Sequence, residues 1–391
     1  MVDIAIEKYG AHIRKMWPLA EGFLTVNHGA YGAAPNVVLA EQDRWRRLLE
    51  KQPTYFMQRI LPDALEQSRR RLAAFVGADD ANLVFVDNAT TGVNAVLNSL
   101  SLQPTDVIAT TQYAYGAVRK ALDFHASRSG GSFQLIKTPF PLRAGVNLAE
   151  SIVACLAADT RLLVVDHITS PTALELPIES IVRGCRDRGI PVLVDGAHAP
   201  AHIDVDLESL SADWYVGNCH KWLMAPKGSA FLWTHPSKQA LTHPTTISHG
   251  YREGYLAEFA WTGTRDPTPF LCVPAAIDFH FELGGERLRD RNKALAWEAA
   301  TLIAEAFDTE VGVDKEHACA MVTVRLPVSP SQITAADLRS GLLDLGTDAP
   351  VFQHGEALWL RISSQAYNDR DDYRMLERLI HKALGDAGVR G

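Results

Sequence analysis

An apolar run, "WYVGN" (214–218), stops at Asn218, and "CHKWLMAPKG" follows at once, with His220 and Lys221 ahead of the turn residues Pro226 and Gly228. A lysine at the end of an apolar strand is either a solvated loop charge or an amine desolvated enough to stay neutral and attack an aldehyde. Earlier in the chain Asp195 closes a second apolar run, "PVLVDG" (191–196), where an unpaired carboxylate would be costly. Its partner is either a structural cation or turn N–H, or the protonated ring nitrogen of a ligand. A third feature follows "LVFVDN" (83–88): Thr90 and Thr91 precede Gly92 at the start of a helical pattern. Two hydroxyls and free N–H groups there serve as an ordinary N-cap or as a seat for a phosphate. His198 and His202 have the HxxxH spacing of some zinc sites, but Pro200 between them spoils the helix, and no metal is expected. Cys219 and His220 are sequence neighbours whose side chains point to opposite faces of a strand, which argues against a thiol nucleophile and its base.

These three positions need a scaffold that gathers strand ends. Strand patterns at 83–88, 106–111, 133–138, 161–168, 191–196, 214–218 and 229–234 alternate with helical patterns, which indicates a mostly parallel seven-stranded sheet covered by helices on both faces. In such α/β sheets ligands collect at the carboxyl ends of the strands, where Thr90, Asp195 and Lys221 lie. From about residue 270 the pattern changes to long helices and two isolated strands, "MVTVRLP" and "ALWLRIS", which reads as a smaller α+β domain over 270–391. The large domain is expected over 31–269, with the segment 1–30 returning to pack on the small one.

The 391 residues carry a net charge of −8 without a Lys/Arg-rich stripe, so nucleic acid is not an expected partner. No apolar run is long enough for a membrane span, and the acidic start "MVDIAIEKYG" does not read as a signal peptide. Five scattered cysteines without a CxxC pair point to reduced thiols and a cytoplasmic setting. A phosphate seat, a strand-end carboxylate and a strand-end amine are the three partners that pyridoxal 5′-phosphate requires, for its phosphate, its ring nitrogen and its aldehyde. Dinucleotide, P-loop, nucleophile-elbow and HExxH motifs are absent from the sequence.

"NHGAYGAAP" (27–35), "DNATTGVN" (87–94), "DHITSPTALELPI" (166–178), "VLVDGAHAP" (192–200), "GNCHKWLMAPKGSAFL" (217–232) and "WTGTRDP" (261–267) resemble the class V aminotransferase family of fold-type I pyridoxal phosphate enzymes, and within it the isopenicillin N epimerase-like branch. The resemblance implies that Lys221 forms the Schiff base and moves the Cα proton. It implies that Asp195 meets the ring nitrogen, that His198 lies near the phenolic oxygen, and that Thr90, Thr91, Asn218 and His220 surround the phosphate. Tyr115 would stack on the ring and is a candidate second acid. Gly263 and Thr264 would reach the phosphate of a neighbouring subunit, making a homodimer with shared sites. Arg361 would grip the substrate carboxylate with Asn27 nearby. Ser170 stands where cysteine desulfurases carry asparagine, as a cofactor contact.

The activity so implied acts at Cα of an amino acid. The first expectation is an epimerase or racemase. The alternative is a C–S β-lyase, similar to hercynylcysteine sulfoxide lyases, or another elimination or substitution enzyme of a natural-product pathway. Desulfuration through an enzyme persulfide is disfavoured, because "LGTDAPVFQHGEALWL" before Arg361 contains no cysteine.

Overall fold

The computed structural model describes residues 9–388; the first eight residues of the expected N-terminal segment lie outside the described residues. A two-residue strand, β1 (Leu24–Thr25), opens the fold, and seven strands then build the main sheet: β2 (Leu83–Val86), β3 (Val107–Thr111), β4 (Ser132–Ile136), β5 (Thr160–Asp166), β6 (Val192–Gly196), β7 (Trp214–Asn218) and β8 (Ala230–Thr234). Their spatial order is β2-β8-β7-β6-β5-β3-β4, and β8 runs against both of its neighbours while the other pairings are parallel. The seven strands anticipated from the apolar runs are thus the seven of the sheet.

The inner strands are buried on both faces, so their apolar character is continuous rather than alternating. Alternation still decides which layer each residue meets. Leu163, Val165, Val192 and Val194 face one apolar layer, to which the helix Ile178–Arg186 brings Ile181, Val182 and Cys185. Leu162, Val164, Leu193, Trp214 and Val216 face the other, covered by Val93, Val96 and Leu97 of the helix Ala89–Ser99 and by Val118 and Leu122 of the helix Gly116–Ser129. Continuing the second set by one step puts Asp166, Asp195 and Asn218 on that same side, just beyond the packed aliphatic layer. Apolar burial fixes their register, because a one-residue slip would turn all three carboxylate and amide groups into the opposite core.

The later part of the chain forms a three-stranded antiparallel sheet, β11-β12-β9, from β9 (Met321–Arg325), β11 (Val351–His354) and β12 (Ala357–Ser363). The helices Glu286–Ala306, Ala335–Asp344 and Arg370–Asp386 accompany it. A further short strand, β10 (Thr347–Asp348), pairs in parallel with β1, with Leu24 opposite Thr347 and Thr25 opposite Asp348. Residues before β1 dock nearby: the Gly10 N–H donates to the Ala366 carbonyl, and Trp17 packs edge-on against Phe279 and Tyr367. β11 has no counterpart in the sequence reading. Its four residues, three half-buried and Gln353 exposed, sit between Pro350 and Gly355, too short a run for periodicity to register.

After β1 the chain passes close under the lysine loop. Gly32 adopts a left-handed conformation (φ +67°), and a Cβ there would land on the His220 carbonyl oxygen and lie 2.8 Å from the Lys221 Cα. Gly32→Ala is therefore expected to lower stability by about 2–4 kcal/mol through overpacking and backbone strain. Urea denaturation checks this; an unchanged midpoint would contradict the close approach.

Candidate active site

Lys221 follows β7 in a loop whose own backbone holds it. The N–H groups of Cys219 and His220 donate to the Ser229 carbonyl, and that of Ala225 to the Cys219 carbonyl. The Lys221 carbonyl accepts from Met224 N–H at 3.1 Å and meets His28 Nε2, also at 3.1 Å. His28 Nδ1 meets the Tyr367 hydroxyl at 2.9 Å. Two neighbouring histidines are fixed in a similar way. His202 Nε2 accepts from Ala320 N–H, its Nδ1 faces the His198 carbonyl, and its ring stacks on Trp222 at 3.9 Å. Burial holds His28 and His202 down to about 3, so both are neutral.

The amine of Lys221 lies 3.1 Å from His198 Nε2. Lys221 is half-buried, and desolvation pushes its amine down to about 8, a shift that the Asp195 charge only partly offsets. His198 is itself held well below the usual imidazole range by burial and then by the Lys221 charge. The loop therefore holds a lysine that releases its proton near neutrality beside a neutral imidazole.

Asp195 ends β6 and is 4% exposed. One carboxylate oxygen accepts the Ala197 N–H at 3.0 Å. Burial raises its pKa, while that hydrogen bond and Lys221 pull it back. The phosphate-seat residues separate into two groups. Asn88 caps the helix Ala89–Ser99, and its Oδ1 takes both the N–H and the hydroxyl of Thr91. Asn218 Oδ1 accepts the Ala89 N–H at 2.9 Å, and His220 Nδ1 faces the Ser229 carbonyl. Thr90 has neither its N–H nor its hydroxyl engaged by a protein acceptor among the described residues. Thr90 thus offers the helix dipole to an anion, with Thr91 and Asn218 shaping the cap around it.

Arg361, on β12, is buried and donates to the Ser170 carbonyl and to Asn27 Oδ1 at 2.9 Å. Asn27 Nδ2 donates in turn to Asp348, which pairs with Arg339 at 2.8 Å. Burial and then the like charge of Arg339 push Arg361 down to about 10, and its Nε is buried without a partner. Among the described residues no carboxylate pairs directly with this guanidinium, whose fork geometry suits a two-pronged ion pair. Ser170, expected at the cofactor, meets Arg361 through its carbonyl and its hydroxyl.

Tyr115 caps the helix Gly116–Ser129 with its side chain largely exposed, and its N–H faces the Asp166 carboxylate. Gly263 and Thr264 are exposed in the single chain and line a cavity of about 160 Å³ with Asp87 and Thr91, away from the lysine amine. Asp166, Asn88 and Trp222 were missed in the sequence. Asp166 closes an apolar run just as Asp195 does, which was the available signal. Four of the five thiols are buried: burial pushes Cys185 up to about 11, Cys272 and Cys319 to about 12, and raises Cys219 as well, while Cys155 lies exposed beyond the helix Leu148–Ala154. Among the described residues no group of three or more His, Cys, Asp or Glu side chains could hold a metal ion, and no helix is long and apolar enough to cross a membrane.

The model of the family "Aminotransferase class-V" matches residues 36–342. The chain belongs to that family. Its relatives include a putative L-cysteine desulfhydrase 1 of Oryza sativa subsp. japonica, 33% identical over 93% of this chain and 84% of the relative. The isopenicillin N epimerase of Amycolatopsis lactamdurans is 32% identical over 95% and 97%. Among solved structures, the cystine C–S lyase C-DES in complex with cysteine persulfide superposes with a TM-score of 0.78 at 20% identity, covering 92% of this chain and 98% of that one. A cysteine desulfurase from Thermococcus onnurineus NA1 gives 0.80 at 19%, over 97% and 98%. These two likenesses establish a shared fold.

The depressed pKa of Lys221 has a direct consequence. Below about pH 8 the amine is an ammonium and cannot attack an aldehyde; above it the neutral form predominates. The rate of covalent capture of pyridoxal phosphate by the apoprotein is expected to rise with a midpoint near 8. A midpoint near that of a free lysine, about 10.4, would contradict the desolvated site.

Proposed function

We propose that the chain uses pyridoxal 5′-phosphate to remove the Cα proton of an amino acid and then expel a sulfur group from Cβ, as a C–S β-lyase. The carrying observation is the desolvated amine of Lys221, against His198 and near the Asp195 charge, in a chain whose thiols are buried except that of Cys155. The residues fit the cofactor: Lys221 would hold its aldehyde, Asp195 its protonated ring nitrogen, and His198 Nε2 its phenolic oxygen. Thr90, with the cap built by Thr91, Asn218 and His220, would hold its phosphate. When bound, the cofactor supplies a cationic ring that takes up the electron pair left by the departing proton.

Arg361 binds the substrate carboxylate, held in aim by Asn27 and Ser170. With the cofactor bound, the Lys221 amine would accept the Cα proton. The Cβ–S bond then breaks with its electron pair on sulfur, and the three-carbon remainder hydrolyses to pyruvate and ammonia. With four of the five thiols buried, the sulfur departs as sulfide or a small thiol.

Epimerisation is the second reading. The relative that the chain covers to 97% is named an isopenicillin N epimerase, and Tyr115 stands beside Asp166 as a candidate acid for the opposite face. In either reading a second copy of the chain completes the site. The exposed Gly263–Thr264 turn and an adjoining largely apolar cavity of about 350 Å³, lined by Leu61, Phe259 and Trp261, support that homodimer. Five unpaired cysteines support a cytoplasmic setting.

With L-cysteine and its S-conjugates the holoenzyme is expected to release pyruvate, ammonia and a thiol or sulfide in equal amounts. Deuterium exchange at Cα with inversion, and without pyruvate, would overturn the lyase reading in favour of epimerisation. Lys221→Ala is expected to lower turnover roughly 10²–10⁴-fold. Arg361→Lys is expected to raise KM roughly 10–100-fold by losing the two-pronged grip; an unchanged KM would remove Arg361 from the substrate site.

A further inference from the structure

Asp166 and Asp195 are cross-strand partners at the carboxyl ends of β5 and β6, each 4% exposed. Aligned residues of neighbouring parallel strands stand about 4.8 Å apart and project to the same face. The alternation of Leu162, Val164, Asp166 and of Leu193, Asp195 along the two strands sends both carboxyl groups toward the same side, between the helix ends that carry Thr90 and Tyr115. Neither carboxylate forms an ion pair with Arg, Lys or His among the described residues. Two buried carboxylates on paired strand positions oppose each other's ionisation.

We propose that Asp166 is the proton-carrying half of an acid–carboxylate pair with Asp195, limiting the pair to one negative charge and steadying the anion that meets the cofactor's ring nitrogen. The inference rests on the reading of Asp195 as that ring partner. The surroundings decide which acid keeps the proton. Asp195 receives the Ala197 N–H and is the carboxylate that Lys221 feels more strongly. Burial and the Asp195 charge push Asp166 well above the usual carboxylate range, despite the facing Tyr115 N–H. His198 is neutral, and the Tyr215 hydroxyl is engaged with His167 Nδ1, so neither supplies a countercharge. Asp166 is thus a positioning residue that acts through Asp195.

The test compares Asp166→Asn, Asp166→Ala and Asp195→Asn by equilibrium binding of pyridoxal phosphate, by the pH dependence of the bound cofactor's visible absorbance, and by the infrared carbonyl band of a protonated carboxylic acid. Asparagine imitates the neutral acid, so Asp166→Asn is expected to bind the cofactor within about threefold of the parent and to lose the infrared band. Asp166→Ala is expected to bind roughly tenfold more weakly and to shift the absorbance midpoint, and Asp195→Asn to bind roughly 100-fold more weakly. Asp166→Asn as weak as Asp195→Asn, Asp166→Ala equal to the parent, or no protonated-acid band in the parent holoenzyme would each overturn the pair. Parent-like affinity in Asp195→Asn would instead overturn the ring-partner reading. Should Asp166→Ala fail to fold, the asparagine variant and the infrared band still decide.

Discussion

A lysine amine brought out of water beside a buried carboxylate is the interaction around which this molecule is organised. Stripping water from an ammonium is expensive, and the nearby Asp195 recovers only part of that cost, so the amine sits close to losing its proton. Holding it there takes a surrounding layer with no freedom of its own. His28, His202 and the Ser229 carbonyl each fix one part of the loop through a directed contact, and Gly32 makes room for it. All of those groups are neutral at physiological pH, so the local field comes from Lys221, Asp195 and Arg361.

The arginine is prepared in a complementary way. Asp348 is paired with Arg339, and its hydrogen-bonded link to Arg361 runs through Asn27. Carbonyl and amide oxygens orient the guanidinium without cancelling its charge. A direct carboxylate partner would have made the site more stable and less able to bind an anion. The two prepared charges come from different sheets: Lys221 follows β7 of the large one, and Arg361 lies on β12 of the small one.

Much of this was legible in the residue pattern because burial imposes it. Seven apolar runs gave seven strands, and their ends carried Asp195 and Lys221 to one edge, where parallel topology must bring them together. The side-chain division of labour was not legible. Thr91 and Asn218 spend their acceptors and donors on capping the helix Ala89–Ser99, a choice that depends on Asn88 and on distances no spacing encodes. The Ser170 carbonyl meets Arg361, a backbone contact that no side-chain pattern encodes. Asp166 escaped notice because its meaning lies in strand register: only the pairing of β5 with β6 sets it across from Asp195. The short strands β1, β10 and β11 escaped because two to four residues carry no period.

The ladder between β1 and β10 joins residues far apart in the chain, with the Thr347 hydroxyl donating to the Leu24 carbonyl across a separation of 323 positions. Asn27 follows that ladder by two residues, so its grip on Arg361 depends on a closure spanning most of the polypeptide. During synthesis at roughly 5–20 residues per second, the emerging N-terminal stretch waits on the order of tens of seconds for its mate. The large sheet can assemble meanwhile, since its strands lie between those two points. The corner around Arg361 therefore closes after the large sheet can form, and a nascent chain can bury the Lys221 amine before Asn27 meets Arg361.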